Sequence, residues 1–290
     1  MAGTEMKSAS RMLPRIALLM FEAHGLGRIM LREFKAAGIV PELILEESSK
    51  LGKKRAGFYE AQHAVSVPNL GTVTDYVATA RAEGETVTHI VVANINNDEA
   101  VAALKEANVD LIILGGTRVV KDRILECAKY GGINTHPGIL PWVQGSLPVA
   151  QSIYRGFPIA TACHRVSAVL DKGALCSIAF LDRSKCGKRF EDLIFETNRQ
   201  CTHQVIKVIE HLGDFGTIST FEKLSKAEGD CYTWEDDIEE KARATLEDPN
   251  YVVPEWETWK DGPMRAALDS RKAATATPVE AGMPMRAALN

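Results

Sequence analysis

An amide and an imidazole stand two positions apart in the stretch GGINTHPGILPWVQGS, residues 131–146. Side chains at positions i and i+2 of a strand lie on one face, so Asn134 and His136 are predicted to point the same way. An amide N–H can donate to a developing oxyanion, and an imidazole can also donate and titrates near neutral pH. The pair suits transition-state stabilisation, although a structural role is an open alternative.

A carboxylate and a second imidazole follow along the chain. Asp171 stands in the LDKG link between two predicted strands, where a tight turn explains an Asp near a Gly equally well. It gains a chemical role only if the fold brings it to His136. His164 lies within the predicted strand ACHRV, where a hydrogen-bonded structural histidine is as good an explanation as a catalytic one.

Two glycines in HGLGR, Gly25 and Gly27, follow the first predicted strand and open the first predicted helix. Backbone N–H groups at such a place can hold a phosphate or carboxylate of a substrate. A dinucleotide site is disfavoured, because Met30 stands where GxGxxG requires its third glycine. A tight turn with a helix cap is the alternative.

The bulk composition excludes several classes of function. The chain has 290 residues, of which 46% are hydrophobic and 25% charged, and a formal net charge of −4. This is ordinary for a globular protein and lacks the basic stripe of a nucleic-acid binder, so no nucleic-acid partner is expected. The six cysteines have no CxxC spacing, which predicts reduced thiols, a cytoplasmic location and no metal site. No apolar run reaches the ~18 residues of a membrane helix.

Strands and helices alternate through the first half of the chain. Strands are predicted at 15–21, 41–47, 89–94, 110–116 and within 131–136, with helices at 25–38, 72–84, 97–109 and 121–130. Thr74 is the predicted cap of the second of these helices. The alternation predicts an α/β fold with a doubly wound, mostly parallel, Rossmann-like sheet, whose ligands bind at the carboxyl ends of its strands.

The pattern changes after residue 147. A helix is predicted at 148–156, strands at 159–169 and 174–182, and a long helix at 189–213 with Gly213 beyond its end. One further helix is predicted near 235–246. We therefore expect a flexible arm at 1–14, a catalytic domain at 15–215, a small C-terminal extension at 216–262 and a tail at 263–290.

The segment INTHPGILPWVQGSLPVAQSIYRG, followed by ATACHRVSAVLDKG, resembles the signature of the folate-dependent formyltransferases. That family includes glycinamide ribonucleotide, methionyl-tRNA and sugar-amine formyltransferases. Its pattern is Asn-x-His, a proline-bounded turn, and an Asp as far from the His as Asp171 is from His136, which is 35 positions here. The resemblance covers roughly residues 15–213 and is most specific over 115–175.

The resemblance implies a transferase of one-carbon metabolism that moves a formyl group from 10-formyltetrahydrofolate to the amine of a small molecule. The acceptor would be an amino sugar, a nucleotide-linked amine or a biosynthetic intermediate, and a homodimer is possible. In the implied catalytic trio, Asn134 and a protonated His136 stabilise the oxyanion, and Asp171 raises the pKa of the imidazole. The resemblance also implies folate contacts at Arg118, Val119, Val120, Ala168 and Val169, and substrate contacts at Gly25, Gly27, Gly145 and His164.

Two other functions stay open. A 10-formyltetrahydrofolate hydrolase would use the same trio with water as acceptor, and TACHRV resembles that branch. A non-catalytic nucleotide-binding protein could keep the fold. Glycinamide ribonucleotide as acceptor is disfavoured by EAHGLGRIM in the first loop and by RQCTHQ in the late helix, and a tRNA acceptor by the acidic-leaning residues 216–290.

Overall fold

A computed structural model describes residues 13–52, 70–167, 171, 173–187, 189–223, 230–232, 235 and 237–262. The arm and tail predicted at the two ends fall almost entirely outside these residues. None of the described helices is both long and apolar enough to cross a membrane.

Five parallel strands form one half of an eight-stranded sheet. They are β1 (Ile16–Phe21), β2 (Leu43–Glu47), β3 (Thr88–Val92), β4 (Leu111–Leu114) and β5 (Gly132–His136). Their order in space is β3-β2-β1-β4-β5. Strands β2 and β3 are added on one side of β1, and β4 and β5 on the other side. Every residue of β1, β2 and β4 is buried, as expected for strands covered on both faces.

Helices cover both faces of this half. They are α1 (Gly25–Ala36), α2 (Val73–Ala82), α3 (Asp98–Glu106) and α4 (Asp122–Leu125). Alternate residues of β1 separate the two layers: Leu18 packs in the core cluster with α1 and α2, and Leu19 packs in the cluster with α3 and α4. The predicted doubly wound α/β fold is therefore confirmed.

The other half of the sheet is antiparallel. After the short strand β6 (Val143–Gly145) and helix α5 (Pro148–Arg155), strand β7 (Ala160–Arg165) pairs with β5 and β8 (Ala174–Phe180) pairs with β7. A 3₁₀ turn (Arg183–Lys185) leads to the long helix α6 (Phe190–Phe215), which packs on α1 and on β5 and β7.

The C-terminal extension joins the rest of the molecule through strands. Strand β9 (Glu222–Lys223) pairs with β8, and β10 (Asp230–Tyr232) pairs with β6 in a separate two-stranded sheet. Helices α7 (Ile238–Glu247) and α8 (Trp256–Trp259) follow. The extension therefore packs directly beside β6, whose Gly145 is one of the predicted site residues.

Several predicted helix ends are wrong, and the helix predicted at 121–130 is only the single turn Asp122–Leu125. Thr72 caps α2 in place of Thr74, because the Thr72 side chain accepts from the Asp75 N–H while the Asp75 carboxylate accepts from the Thr72 N–H. Helix α6 continues through Gly213 and ends at Gly216, which has a φ of 68°. A left-handed residue at this position, with its N–H bonded to the Leu212 carbonyl, is the usual way in which glycine ends a helix.

Candidate functional site

The antiparallel pairing of β5 with β7 brings Asn134 next to His164. The two residues are register partners, and Asn134 Nδ2 lies 3.1 Å from His164 Nε2. They are 30 positions apart in sequence, so only the strand pairing makes them neighbours. His136, two residues further along β5, is also buried.

Asp171 lies between two imidazoles. Its Oδ2 is 3.6 Å from His136 Nδ1, and its Oδ1 is 3.6 Å from His164 Nε2. The Gly145 backbone N–H donates to Oδ2 at 3.0 Å, which ties the carboxylate to β6. The structure thus brings together Asn134, His136 and Asp171, with His164 as a fourth member.

Backbone carbonyls determine which nitrogen of each imidazole carries the hydrogen. His136 Nε2 lies 2.8 Å from the Val143 carbonyl oxygen, so Nε2 is the donor and Nδ1 faces Asp171. His164 Nδ1 lies 2.9 Å from the Arg165 carbonyl oxygen, so Nδ1 is the donor and Nε2 faces Asp171 and Asn134. Each ring therefore presents its second nitrogen to one oxygen of the same carboxylate.

Burial and charge act in opposite directions on this group. Burial raises the pKa of Asp171, but attraction to His136 and His164 and the hydrogen bond from Gly145 outweigh it, and the pKa falls below its usual range. Burial lowers the pKa of His136 below 6.5, and attraction to Asp171 only partly offsets this. The predicted effect of Asp171 on the pKa of His136 is therefore present, but burial of the ring outweighs it, so the protonated state predicted for His136 is disfavoured.

A cleft with about 470 Å³ of empty space opens beside this group. Its floor holds Asn134, His164 and Asp171, and its walls are Leu114, Thr117, Arg118, Val119, Val120, Val166 and Ser167. His136 is not among these lining residues and lies behind Asp171. The imidazole that lines the cleft is therefore that of His164, whereas the sequence pattern assigned the catalytic role to His136.

Residues 117–121, the loop that forms one wall of the cleft and is called the cleft loop below, are fixed by two side chains that the sequence analysis did not single out. Glu47, at the end of β2 and fully buried, accepts from Arg118 Nε at 2.9 Å and also pairs with its terminal nitrogen. Asn96 donates from Nδ2 to the Val119 carbonyl at 3.0 Å and accepts from the Lys121 N–H at 2.8 Å. A charged residue ending the apolar run LILEE was the available signal for Glu47.

The Arg118 side chain is consequently directed at Glu47, so a ligand in the cleft meets the main chain of this loop and the side chains of Val119 and Val120. Val119 is 55% exposed, and Val120 is buried. Ala168 and Val169, the other predicted folate contacts, lie outside the described residues.

The start of α1 has a packing role. A Cβ at Gly27 would lie 2.6 Å from Met20 Sδ and 3.0 Å from the Gly115 carbonyl oxygen, so glycine permits close approach of helix and sheet. The Leu26 N–H donates to His24 Nδ1 at 3.2 Å, and the Ala23 N–H donates to Glu46 Oε1 at 3.1 Å. Two of the backbone donors next to Gly25, the N–H groups of Ala23 and Leu26, are thus engaged within the protein.

No group of three or more His, Cys, Asp or Glu side chains in the described part of the chain is placed to hold a metal ion.

Residues 68–181 match a family model described as formyl transferase. Methionyl-tRNA formyltransferase of Rickettsia prowazekii is 27% identical over 150 residues, which cover 47% of this chain and 48% of that protein. The chain thus spans about half the length of the curated relatives that it matches first. The predicted resemblance to the formyltransferases is confirmed.

Solved structures show the same fold. A phosphoribosylglycinamide formyltransferase from Bacillus halodurans is 16% identical, covers 72% of this chain and 100% of its own, and superposes with a TM-score of 0.50. A Mycobacterium tuberculosis protein described as a candidate sugar N-formyltransferase is 14% identical, covers 83% of this chain and 90% of its own, and has the same TM-score of 0.50.

Proposed function

We propose that this chain, which matches the formyltransferase family model over residues 68–181, is a formyltransferase that transfers a formyl group from 10-formyltetrahydrofolate to the amine of a small molecule. The observation that carries this proposal is the Asp171 carboxylate held 3.6 Å from each of two imidazoles at the floor of the cleft, beside the Asn134 amide. A perturbed carboxylate in a cleft, with charge partners on both sides, is the arrangement expected of an acid–base site.

The donor fits the walls of the cleft. The apolar side chains on its walls suit the faces of a flat heteroaromatic ring, and they are Leu114, Val119, Val120 and Val166. Main-chain groups of the loop, fixed by Glu47 and Asn96, would hydrogen-bond to the polar edge of that ring.

The bound donor would supply the formyl group that the acceptor amine takes up. Asn134 Nδ2 carries two hydrogens, and the one not directed at His164 can be donated to the formyl oxygen as negative charge develops there. A preorganised donor of this kind typically lowers the barrier by about 3 kcal/mol.

Asp171 and its imidazoles would receive the proton that the amine loses. The lowered pKa of Asp171 keeps the carboxylate ionised at neutral pH. In each ring the hydrogen is on the other nitrogen, so the nitrogen that faces Asp171 is unprotonated. A proton that reaches Asp171 can therefore pass to His136 Nδ1 or His164 Nε2. The group would thus act as the base in the forward reaction.

The surroundings favour an acceptor without a phosphate at the start of α1. The Ala23 and Leu26 N–H groups there already donate to Glu46 and His24, so these two donors are not available to a phosphate. Strand β10 borders the opposite side of the site, where the Ser146 N–H donates to the Tyr232 carbonyl. These features support an amino sugar or a similar small amine.

The test is the consumption of 10-formyltetrahydrofolate with and without a panel of amino sugars, nucleotide-linked amines and amino acids. Consumption that requires one class of amine supports the transferase. Rapid consumption in buffer alone identifies the hydrolase, because water then serves as acceptor. If Asn134→Ala and Asp171→Asn leave both consumption and folate affinity unchanged, the site is not catalytic.

The cytoplasmic location, the small-molecule acceptor and the homodimer remain predictions. Gel filtration with light scattering tests the dimer, and the amine panel tests the acceptor.

A further inference from the structure

Two thiols meet on the side of β7 opposite the cleft. The pairing of β7 with β8 changes register there: Cys163 faces Ser177 and His164 faces Leu175, so Cys176 is the extra residue of a β-bulge. The bulge places Cys176 beside Cys163 on the neighbouring strand, and each thiol acts on the pKa of the other. Both pack in the core cluster beneath α6.

Cys176 has the properties of the more reactive partner. It is partly exposed, whereas Cys163 is buried. The hydrogen bond from Cys163, together with the positive charge and backbone N–H of Arg165, outweighs burial and lowers the pKa of the Cys176 thiol. By contrast, burial raises the pKa of Cys127 and Cys186, which are also partly exposed. Because the thiolate is the nucleophile, Cys176 should react first.

We propose that Cys176 and Cys163 are a peroxide-sensitive thiol pair that closes to a cross-strand disulfide and displaces His164. The Cys176 thiolate attacks one oxygen of a peroxide, the O–O bond breaks, and a sulfenic acid and hydroxide result. The Cys163 sulphur then attacks the Cys176 sulphur, the S–O bond breaks and the S–S bond forms. The hydroxyl group leaves as water with the Cys163 proton, so two thiols lose two electrons and the peroxide is reduced to water.

The disulfide would act on the cleft through a tightly packed segment. A disulfide requires a sulphur separation of about 2.05 Å, so the pair closes by rotation of the side chains together with a shift of β8 toward β7 at the bulge, and it is this shift that would reach the cleft. Gly173, at the start of β8, packs against the Arg165 carbonyl so closely that no Cβ would fit. The same carbonyl accepts from His164 Nδ1 and orients the ring. A shift of β8 therefore reaches His164.

The bond itself is tested without reference to any activity. The full chain is treated with hydrogen peroxide, free thiols are blocked, and unreduced peptides are identified by mass spectrometry. A peptide pair joined through Cys163 and Cys176, lost on treatment with dithiothreitol, is expected from the natural chain and from the matched control Cys186→Ser, but not from Cys176→Ser. Absence of this pair, or oxidation of Cys127 and Cys186 as fast as Cys176, would overturn the proposal.

The predicted effect of the disulfide on turnover rests on the proposed function, whereas its predicted effect on the position of His164 does not. Oxidation should reduce turnover by roughly tenfold to 100-fold, because misplacing a site residue by an ångström can cost that much. Cys176→Ser should be insensitive to peroxide. An NMR shift of the His164 imidazole on oxidation is expected whether or not formyl transfer is the reaction. If the disulfide forms and this signal stays in place, displacement of His164 is wrong although the thiol pair is real.

Discussion

Asp171 adopts a left-handed backbone conformation, with φ of 51°, in the link between β7 and β8. Such a conformation is unfavourable for most residues but is tolerated by Asp and Asn. It turns the carboxylate back toward β5, where both oxygens find partners. In the sequence, the position of Asp171 in a tight turn suggested a structural role. The same turn conformation directs its carboxylate toward the imidazoles.

The substitution Asp171→Asn should distinguish the structural role of this side chain from its role as a proton acceptor. Asn keeps the left-handed turn and the hydrogen bond from the Gly145 N–H, but it cannot take up a proton at this pH. Turnover should fall by about 100-fold or more, in line with the loss of a general base, while the Kd for a folate analogue changes little. Asp248→Asn, on the exposed end of α7, is the control. Equal turnover in both variants would remove Asp171 from the chemistry.

The burial of the His136 ring predicts that the free energy of unfolding decreases in mildly acidic solution. Its folded-state pKa lies below the 6.5 of an ordinary imidazole, so the unfolded chain binds a proton first as pH falls. The free energy of unfolding should therefore decrease below pH 6.5, by at most ~1.4 kcal/mol per pH unit for this one group. The contribution of Asp171 is present above its ordinary value of 3.8 and is lost only in stronger acid.

Urea unfolding between pH 5 and 7.5, a range set by the ~6.5 of free imidazole, measures this slope. The slope should be smaller in His136→Asn, whatever the absolute stability of that variant. Val252→Ala, at an exposed side chain that does not titrate, is the control and should keep the natural slope. An unchanged slope in His136→Asn would assign the acid sensitivity to another group.

At the scale of elements, the cleft loop depends on an ion pair between two strand ends. Glu47 at the end of β2 is fully buried and Arg118 is partly buried. Breaking a buried pair leaves an uncompensated charge, so Arg118→Ala or Glu47→Ala should each destabilise the fold by about 3 kcal/mol. Removing both residues should cost clearly less than the sum.

A double-mutant cycle by chemical denaturation checks this prediction. The exposed pair Lys35 and Glu83, 40% and 53% accessible, is the matched control and should couple by less than ~1 kcal/mol. Folate-analogue affinity should fall in both single Arg118 and Glu47 variants, because loop 117–121 loses its anchor. Simple additivity at Glu47 and Arg118 would contradict the role of the pair.

Elements with a strong local signal could be predicted from the sequence. The buried runs of β1 and β4 and the glycine-bounded helices carry their pattern within a few residues. The meeting of His136 with Asp171 followed only from family resemblance, since a hairpin link gives no direction in space. The place of His164 in the cleft likewise followed only from the resemblance, as a predicted substrate contact, because it depends on strand pairing. Strands β6 and β10 are three residues each and have no periodicity of their own.

At the scale of the whole molecule, an aromatic cluster packs the C-terminal extension against the segment that leads to β6. Trp259 is buried, and its ring centroid lies 5.6 Å from those of Trp142 and Phe157 and 5.7 Å from that of Trp256. Trp142 follows Pro141 in the turn between β5 and β6, so the cluster joins helix α8 to the segment that supports the site. Unfolding of the two parts should therefore be coupled.

Trp259→Ala should lower the free energy of unfolding by about 3 kcal/mol or more, as is usual for a large buried aromatic. Thermal unfolding should stay a single transition at a lower Tm. Val252→Ala, at a side chain that is 78% exposed, should leave Tm unchanged. Two separate transitions in Trp259→Ala, with the upper one at the natural Tm, would mean that the extension folds on its own.

The register of β7 against β5 has one more consequence. Along β7 the imidazole of His164 faces the cleft, and the neighbouring Cys163 faces the core beneath α6. A slip by a single residue would exchange them, placing a polar ring among apolar side chains and a thiol at the cleft. Mispaired molecules would thus be less stable and would lack the imidazole that the proposed reaction uses, so the same burial that selects the correct register also builds the proposed site.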